Sequence, residues 1–225
     1  MREFLKNFFA PEQAKLKDMT FKEKAGYIWE YYKIPIIATI AVVLIVYSLI
    51  NTIWIHPPKK SYLTMAFYSS YVDDATLSSL SGQLGDALMT PEELLTYEVT
   101  GIDFNINSGD SQMDMANTEK FMAMIAAHEI DLIIFSKTDL EAMAAQETLA
   151  PIKDYLPDSL PSGISDKLAA APDVNGVQTD FAIQLDGSKF FESNGFSTDG
   201  LYMAVIVNTS NQDNVKNAIA YIFGS

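Results

Sequence analysis

Residues 130 to 135, Ile130-Asp131-Leu132-Ile133-Ile134-Phe135, decide the fold. A short apolar run of this kind is the signature of a β-strand covered on both faces, as in a sheet lying between helices. The segments on either side agree. Upstream, Asn117 or Thr118 caps a helix that carries Phe121, Met122, Ile125 and Ala126; downstream, Thr138 and Glu141 form a capping box over Leu140, Met143 and Ala144. Earlier still, Tyr62 to Tyr68 is a β-rich run, and Asp73-Asp74 opens a helix to about Met89 with Leu77, Leu80, Leu84 and Leu88 on one side. Pro91 ends it, and Leu95 to Ile106 resumes strand character with alternation at Ile102, Phe104 and Ile106. This alternation of strands and helices predicts an α/β domain of three layers with a mostly parallel sheet.

The C-terminal part is patterned differently. Leu149 to Pro161 is punctuated by prolines, Ser165 begins a short helix, and Phe181 to Leu185 and Leu201 to Val207 read as strands extending the same sheet. Asn211 to Phe223 closes the chain as a helix with Val215, Ala218, Ile219 and Ile222 on its apolar face.

Charge divides the chain more sharply than its averages suggest. The net charge is −14, yet residues 1 to 33 hold seven Lys/Arg against five Asp/Glu, while residues 61 to 225 hold six against 24. So acidic a domain lacks the basic footprint that a general nucleic-acid binder needs, and no nucleic-acid partner is expected. The absence of cysteine excludes thiol catalysis, disulfides and Cys-based zinc sites.

Between the two parts lies Ile34 to Ile55, IPIIATIAVVLIVYSLINTIWI, 22 residues without a charge. As a helix it spans roughly the 30 Å hydrocarbon core of a bilayer. Tyr27, Trp29, Tyr31, Tyr32 and Lys33 flank one end and Trp54, Lys59 and Lys60 the other, the arrangement of a membrane interface and not of a buried core helix. Pro35 falls in the first turn of this span, where a missing N–H costs least. Lys15, Lys17, Lys22, Lys24 and Lys33 precede it and only Lys59 and Lys60 follow, which predicts a cytoplasmic N-terminus and an extracellular C-terminal domain. The run begins too late for a cleaved signal peptide and reads as a signal anchor. A cysteine-free exported domain fits a bacterial cell envelope, of the Gram-positive type. The organisation expected is a tail over 1–33, a transmembrane helix over 34–55, a linker over 56–61 containing Pro57-Pro58, and the α/β domain over 62–225.

In the tail, Phe4, Leu5, Phe8 and Phe9 share a helical face with Arg2 and Lys6 near its edge, a pattern that lies in a membrane interface or packs on a partner. Pro11 ends it. Thr20 and Glu23 form a capping box opening a second helix with Phe21, Ala25, Ile28, Trp29 and Tyr32 in one stripe.

Glu119 to Leu156, EKFMAMIAAHEIDLIIFSKTDLEAMAAQETLAPIKDYL, resembles the first lobe of bacterial extracellular solute-binding proteins of the periplasmic type. The shared features are a helix with an alanine-rich end, an Asp-initiated buried strand, and a segment here written Leu149-Ala150-Pro151-Ile152-Lys153-Asp154-Tyr155-Leu156. The ending LYMAVIVNTSNQDNVKNAIAYIF resembles a late strand and helix of the same proteins. The resemblance implies one lobe of that fold and binding without catalysis. The stretch from Pro157 to Gln178 leaves no room for the second lobe that closes on a solute in that family.

In sheets of this kind ligands sit beyond the carboxyl ends of parallel strands, at helix N-termini. That selects Tyr68, Ser69 and Ser70 after the first strand and Ser136, Lys137 and Thr138 after the third, where hydroxyls and amides can hold a carboxylate or a sugar. Capping by Thr138 and a turn at Ser69-Ser70 explain the same residues without a ligand. Asp103, Asn105, Asn107, Gly109, Asp110 and Asp114 alternate as in a calcium loop, but the sixth and twelfth positions from Asp103 are Ser108 and Asp114 in place of Gly and Glu, so no metal site is assigned. His128 has no Gly-x-Ser-x-Gly elbow to serve and ends the helix before Ile130, and His56 abuts the membrane. Neither a cofactor nor an enzymatic activity is expected. The partners that remain are the lipid bilayer and either a small solute or an envelope protein.

Overall fold

The computed structural model describes residues 19–55, 57–106, 108–157 and 163–224, which divide into two compact units parting between Pro58 and Lys59. The expectations placed on Arg2 to Phe9, Pro11, Lys15, Lys17, His56, Asn107 and Pro161, and on the side chains of Ile28 and Trp54, lie outside the described residues.

The first unit is a helix, α1, Phe21–Ile50, continued by a wider turn over Asn51–Ile55. Thr20 caps it as expected, its N–H and hydroxyl both donating to Glu23 Oε2 at 2.8 Å. The helix runs unbroken through Pro35, which therefore sits in its interior and not in a first turn. Thr39 donates its hydroxyl to the carbonyl of Pro35 itself at 2.8 Å, a back-bond across one turn of the helix. Within this stretch Trp29–Ile53, 25 residues with an 18-residue window of mean hydropathy 2.4 and none of that window buried, is long and apolar enough to cross a membrane.

The second unit is a six-stranded sheet with helices on both faces. Its elements are β1 (Lys60–Phe67), α2 (Asp74–Leu88), β2 (Tyr97–Asp103), α3 (Ser111–Ala126), β3 (Leu132–Ser136), α4 (Lys137–Ala145), β4 (Leu168–Pro172), β5 (Gln178–Gln184), α5 (Lys189–Ser193), β6 (Leu201–Val205) and α6 (Gln212–Gly224). The strand order is β2-β1-β3-β6-β5-β4. Leu132 and Ile134 of β3 join Leu63, Met65 and Phe67 of β1 and Met203 and Val205 of β6 beneath Leu80 and Leu84 of α2 and Val215, Ala218, Ile219 and Ile222 of α6. Ile133 and Phe135 turn to the other face, against Phe121 of α3 and Leu140, Met143 and Ala144 of α4. The apolar run at 130–135 is thus buried on both sides, and the domain has three layers.

The sheet is mixed where a mostly parallel one was expected. β1 pairs in parallel with β2 and β3, but β3 with β6, β6 with β5 and β5 with β4 are antiparallel. For β4 and β5 the cause is loop length: a parallel return needs a crossover of a dozen or more residues, whereas these strands are joined by the tight turn Asp173 to Val177. There Asp173 Oδ1 accepts from the Asn175 and Val177 N–H groups, and Gly176 supplies the positive φ of 78°. The short helix read at Ser165 is a single 3-10 turn, Ser165–Lys167, and runs directly into β4.

Two helix starts also differ from the sequence reading. Asp110, not Asn117 or Thr118, caps α3, accepting from the Gln112 and Met113 N–H groups at 3.0 and 3.3 Å, while Thr118 donates to the Asp114 carbonyl inside the helix. α4 begins one residue before Thr138, with extended Ser136 as its cap. His128 follows α3 with a φ of 60°, its Nδ1 2.6 Å from the Asn208 carbonyl oxygen.

One carboxylate ties the two halves of the sheet. Asp131, 1% exposed, accepts from the Thr64 N–H (2.8 Å), the Thr209 hydroxyl (2.5 Å) and the Asn211 amide (3.2 and 3.3 Å), while its own N–H donates to the Thr64 carbonyl and its carbonyl accepts from Ile206 N–H. Asp131→Ala strands these donors in the core and should cost about 3 kcal/mol, while Thr209→Val, which removes one hydroxyl, should cost about 1 kcal/mol. Urea denaturation of the two variants tests the ranking, and equal costs would show that the network does not converge on the carboxylate.

Candidate functional site

The carboxyl ends of β1 and β3 lie side by side because the two strands are parallel neighbours, and this brings the sequence-selected residues together. Ser69 and Ser136, 67 positions apart in the chain, are joined directly: the Ser69 hydroxyl accepts from the Ser136 N–H at 2.8 Å. Ser136 in turn donates its hydroxyl to Asp139 Oδ2 at 2.6 Å, and the Thr138 hydroxyl lies 2.7 Å from it. Tyr68 packs its ring against Phe121, centroids 4.7 Å apart and planes tilted by 54°, and is half-buried. The Ser70 hydroxyl is buried without a hydrogen-bond partner. Lys137 and Thr138 are exposed at the start of α4.

Two residues that the sequence did not single out for this edge belong to it. Asp139 enters through its bond with Ser136. Asp103, at the end of β2, stands opposite Phe67, the last residue of β1, and accepts from the Asn105 N–H at 3.0 Å. Burial pushes the Asp103 carboxyl up from its ordinary range, against the lowering by hydrogen bonds from the Val72 and Asn105 backbone. A spacing pattern in the sequence could have found neither residue, since each arrives through tertiary pairing.

Chemically the edge offers hydroxyl donors, the first N–H groups of a helix, a phenol and two carboxylates, with Lys137 as its cation. Hydroxyls that already donate to carboxylates suit a neutral, hydroxyl-rich ligand better than a carboxylate, which Asp103 and Asp139 would repel. The five best-defined surface cavities lie elsewhere: none is lined by Tyr68, Ser69, Ser70, Ser136, Lys137 or Thr138. Among the described residues no three His, Asp or Glu side chains converge on a common point as metal ligands do.

Neither the protein-family models nor the curated proteins compared with the chain match it. Among solved structures it is similar to the bacterial solute receptor AcbH, described as having an exclusive substrate preference for β-D-galactopyranose. The identity is 15%, the TM-score 0.31, and the match covers 62% of this chain and 33% of the receptor, so the chain spans a third of that receptor's length.

Three tyrosines of the domain are held protonated. Burial first, then the neighbouring carboxylates Glu93, Asp139 and Asp154 respectively, raise Tyr62, Tyr68 and Tyr155 above the ordinary phenol range. A raised folded-state value stabilises the protein below the unfolded phenol range, about pH 10, and that contribution is lost as pH rises through the folded values. Urea midpoints should therefore fall across this alkaline window, less so in Tyr68→Phe. In Asp139→Asn the Tyr68 titration, followed by ultraviolet difference absorbance, should move down only part of the way, because burial is the larger cause.

Proposed function

We propose that the protein is a single-pass membrane protein whose extracellular α/β domain works by binding, without catalysis, at the ledge formed by Tyr68, Ser69, Ser70, Ser136, Lys137 and Thr138. The observation that carries this reading is the Ser69–Ser136 hydrogen bond with the unpartnered Ser70 hydroxyl beside it, two strand ends fastened together below an open polar surface. The apolar helix supports a bilayer anchor, and the surplus of lysines before it supports a cytoplasmic N-terminus, a signal anchor and an outer domain in a bacterial envelope. The division into tail, span, linker and domain belongs to the same reading. A neutral, hydroxyl-rich solute is the ligand class the ledge favours.

Thermal unfolding of the full chain in uncharged detergent, against sugars, polyols and carboxylates, tests it. A neutral ligand at a hundred times its Kd should stabilise by about 2.7 kcal/mol, a rise of several degrees, and Ser69→Ala should abolish the shift. A flat panel would sink the solute reading and leave an envelope protein as the bound partner. The topology is checked separately, since the chain has no native cysteine. Tyr71→Cys, at a position 70% exposed, should react with a membrane-impermeant maleimide on intact cells, and Lys22→Cys only after lysis.

A further inference from the structure

The two edges of the sheet are unequal. β4, at one end, is blunted by Pro172. β2, at the other, contains no proline and among the described residues pairs with β1 alone, so its outward N–H and C=O groups meet no described strand. An edge left in this state is a template for another chain.

Beside that edge runs a groove. Two cavities of about 340 and 270 Å³ lie between α2 and β2, and they share Ser78, Ser81, Glu98 and Val99, which makes them one continuous trough. Small residues on α2 keep it open: Gly82 has no atom within 4 Å of where a Cβ would stand. Its depth depends on close packing at Gly101, where a Cβ would come within 3.0 Å of Leu77 Cδ2 and 3.1 Å of Ser81 Oγ. The Ser81 hydroxyl on the wall is buried with no hydrogen-bond partner.

Charge selects the occupant. From Ser61 to Glu119, a stretch containing most of β1 and all of α2 and β2, the chain has ten Asp or Glu and no Lys or Arg. Asp74, Asp86 and Glu98 line the trough against a single cation, Lys59, and none of the three carboxylates is in an ion pair among the described residues. A second copy of so acidic a surface is repelled. A lysine- or arginine-bearing strand is attracted, and its backbone finds the free ladder of β2.

We propose that the trough between α2 and the free edge of β2 docks a basic, extended polypeptide segment of a partner protein, which adds to the sheet alongside β2. This site is separate from the strand-end ledge and stands on β2 and α2 alone.

The probe is a peptide alternating lysine and valine, matched to the 7 residues of β2, with fluorescence anisotropy read on the full chain in uncharged detergent. Two further peptides carry N-methyl groups on alternate residues, in opposite registers, and a fourth replaces lysine with glutamate. In a strand only every second N–H faces its neighbour, so one N-methyl register should abolish binding and the other should keep it. Asp86→Lys with Glu98→Lys, both at exposed positions, should weaken the unmodified peptide by about tenfold or more. The glutamate peptide should not bind. Equal binding of both N-methyl registers would reduce the effect to charge attraction and overturn strand addition, as would no binding of the lysine peptide at all. Unchanged affinity in a double variant of native circular dichroism would place the peptide elsewhere. The N-methyl comparison uses the native chain and stands whether or not the variant folds.

Discussion

A carboxylate held in the core at the amino end of β3 is the constraint from which the rest of the domain follows. A buried charge survives only when several donors point at it, and Asp131 draws its donors from β1, from the turn after β6 and from the approach to α6. Sliding β3 by one residue would bring the charge into the apolar layer and turn Ile133 and Phe135 to the wrong face. The network therefore fixes the register of the central strand against both neighbours, one parallel and one antiparallel. With the amino end pinned, the other end of β3 must fall beside the end of β1, and Ser136 meets Ser69 as a consequence.

Acidity works at two levels in this fold. Locally, Asp73 and Asp110 hold helix starts by accepting backbone N–H groups, and the Thr76 N–H and hydroxyl keep the Asp73 carboxyl below its ordinary range. Across the surface the remaining carboxylates add without compensation, since Lys153 with Asp180 is the ion pair found among the described residues. Such a surface resists self-association and discourages anionic ligands.

What could be read from the sequence was what depends on neighbours along the chain. The run at 130–135 announced a strand buried on both faces because its apolar residues are contiguous, and Leu80 and Leu84, or Val215, Ala218, Ile219 and Ile222, announced helical faces by their spacing. β4 was hidden because Leu168-Ala169-Ala170-Ala171-Pro172 has no β-branched or aromatic residue, and it is a strand through pairing with β5. The first turns of α3 were hidden because Phe121 is the buried residue of that helix and the turns before it look like loop. At the strand ends the serines were visible, since position after a strand is a local property. Asp103 and Asp139, which set the charge of the same edge, depend on contacts that spacing does not encode.

A domain that covers both faces of its sheet has few places left to bind anything. Each face of the sheet is filled by helices, and the broad surfaces are used up by the core. What remains are the ends of strands and the edges of the sheet. Strand ends present helix N-termini and loop hydroxyls, which suit small polar groups, while an edge presents a row of backbone groups, which suits another chain. The edge at β4 is closed by a proline. The geometry of the domain thus offers different parts of its rim to different kinds of ligand, and leaves β2 as the place for a chain-like partner.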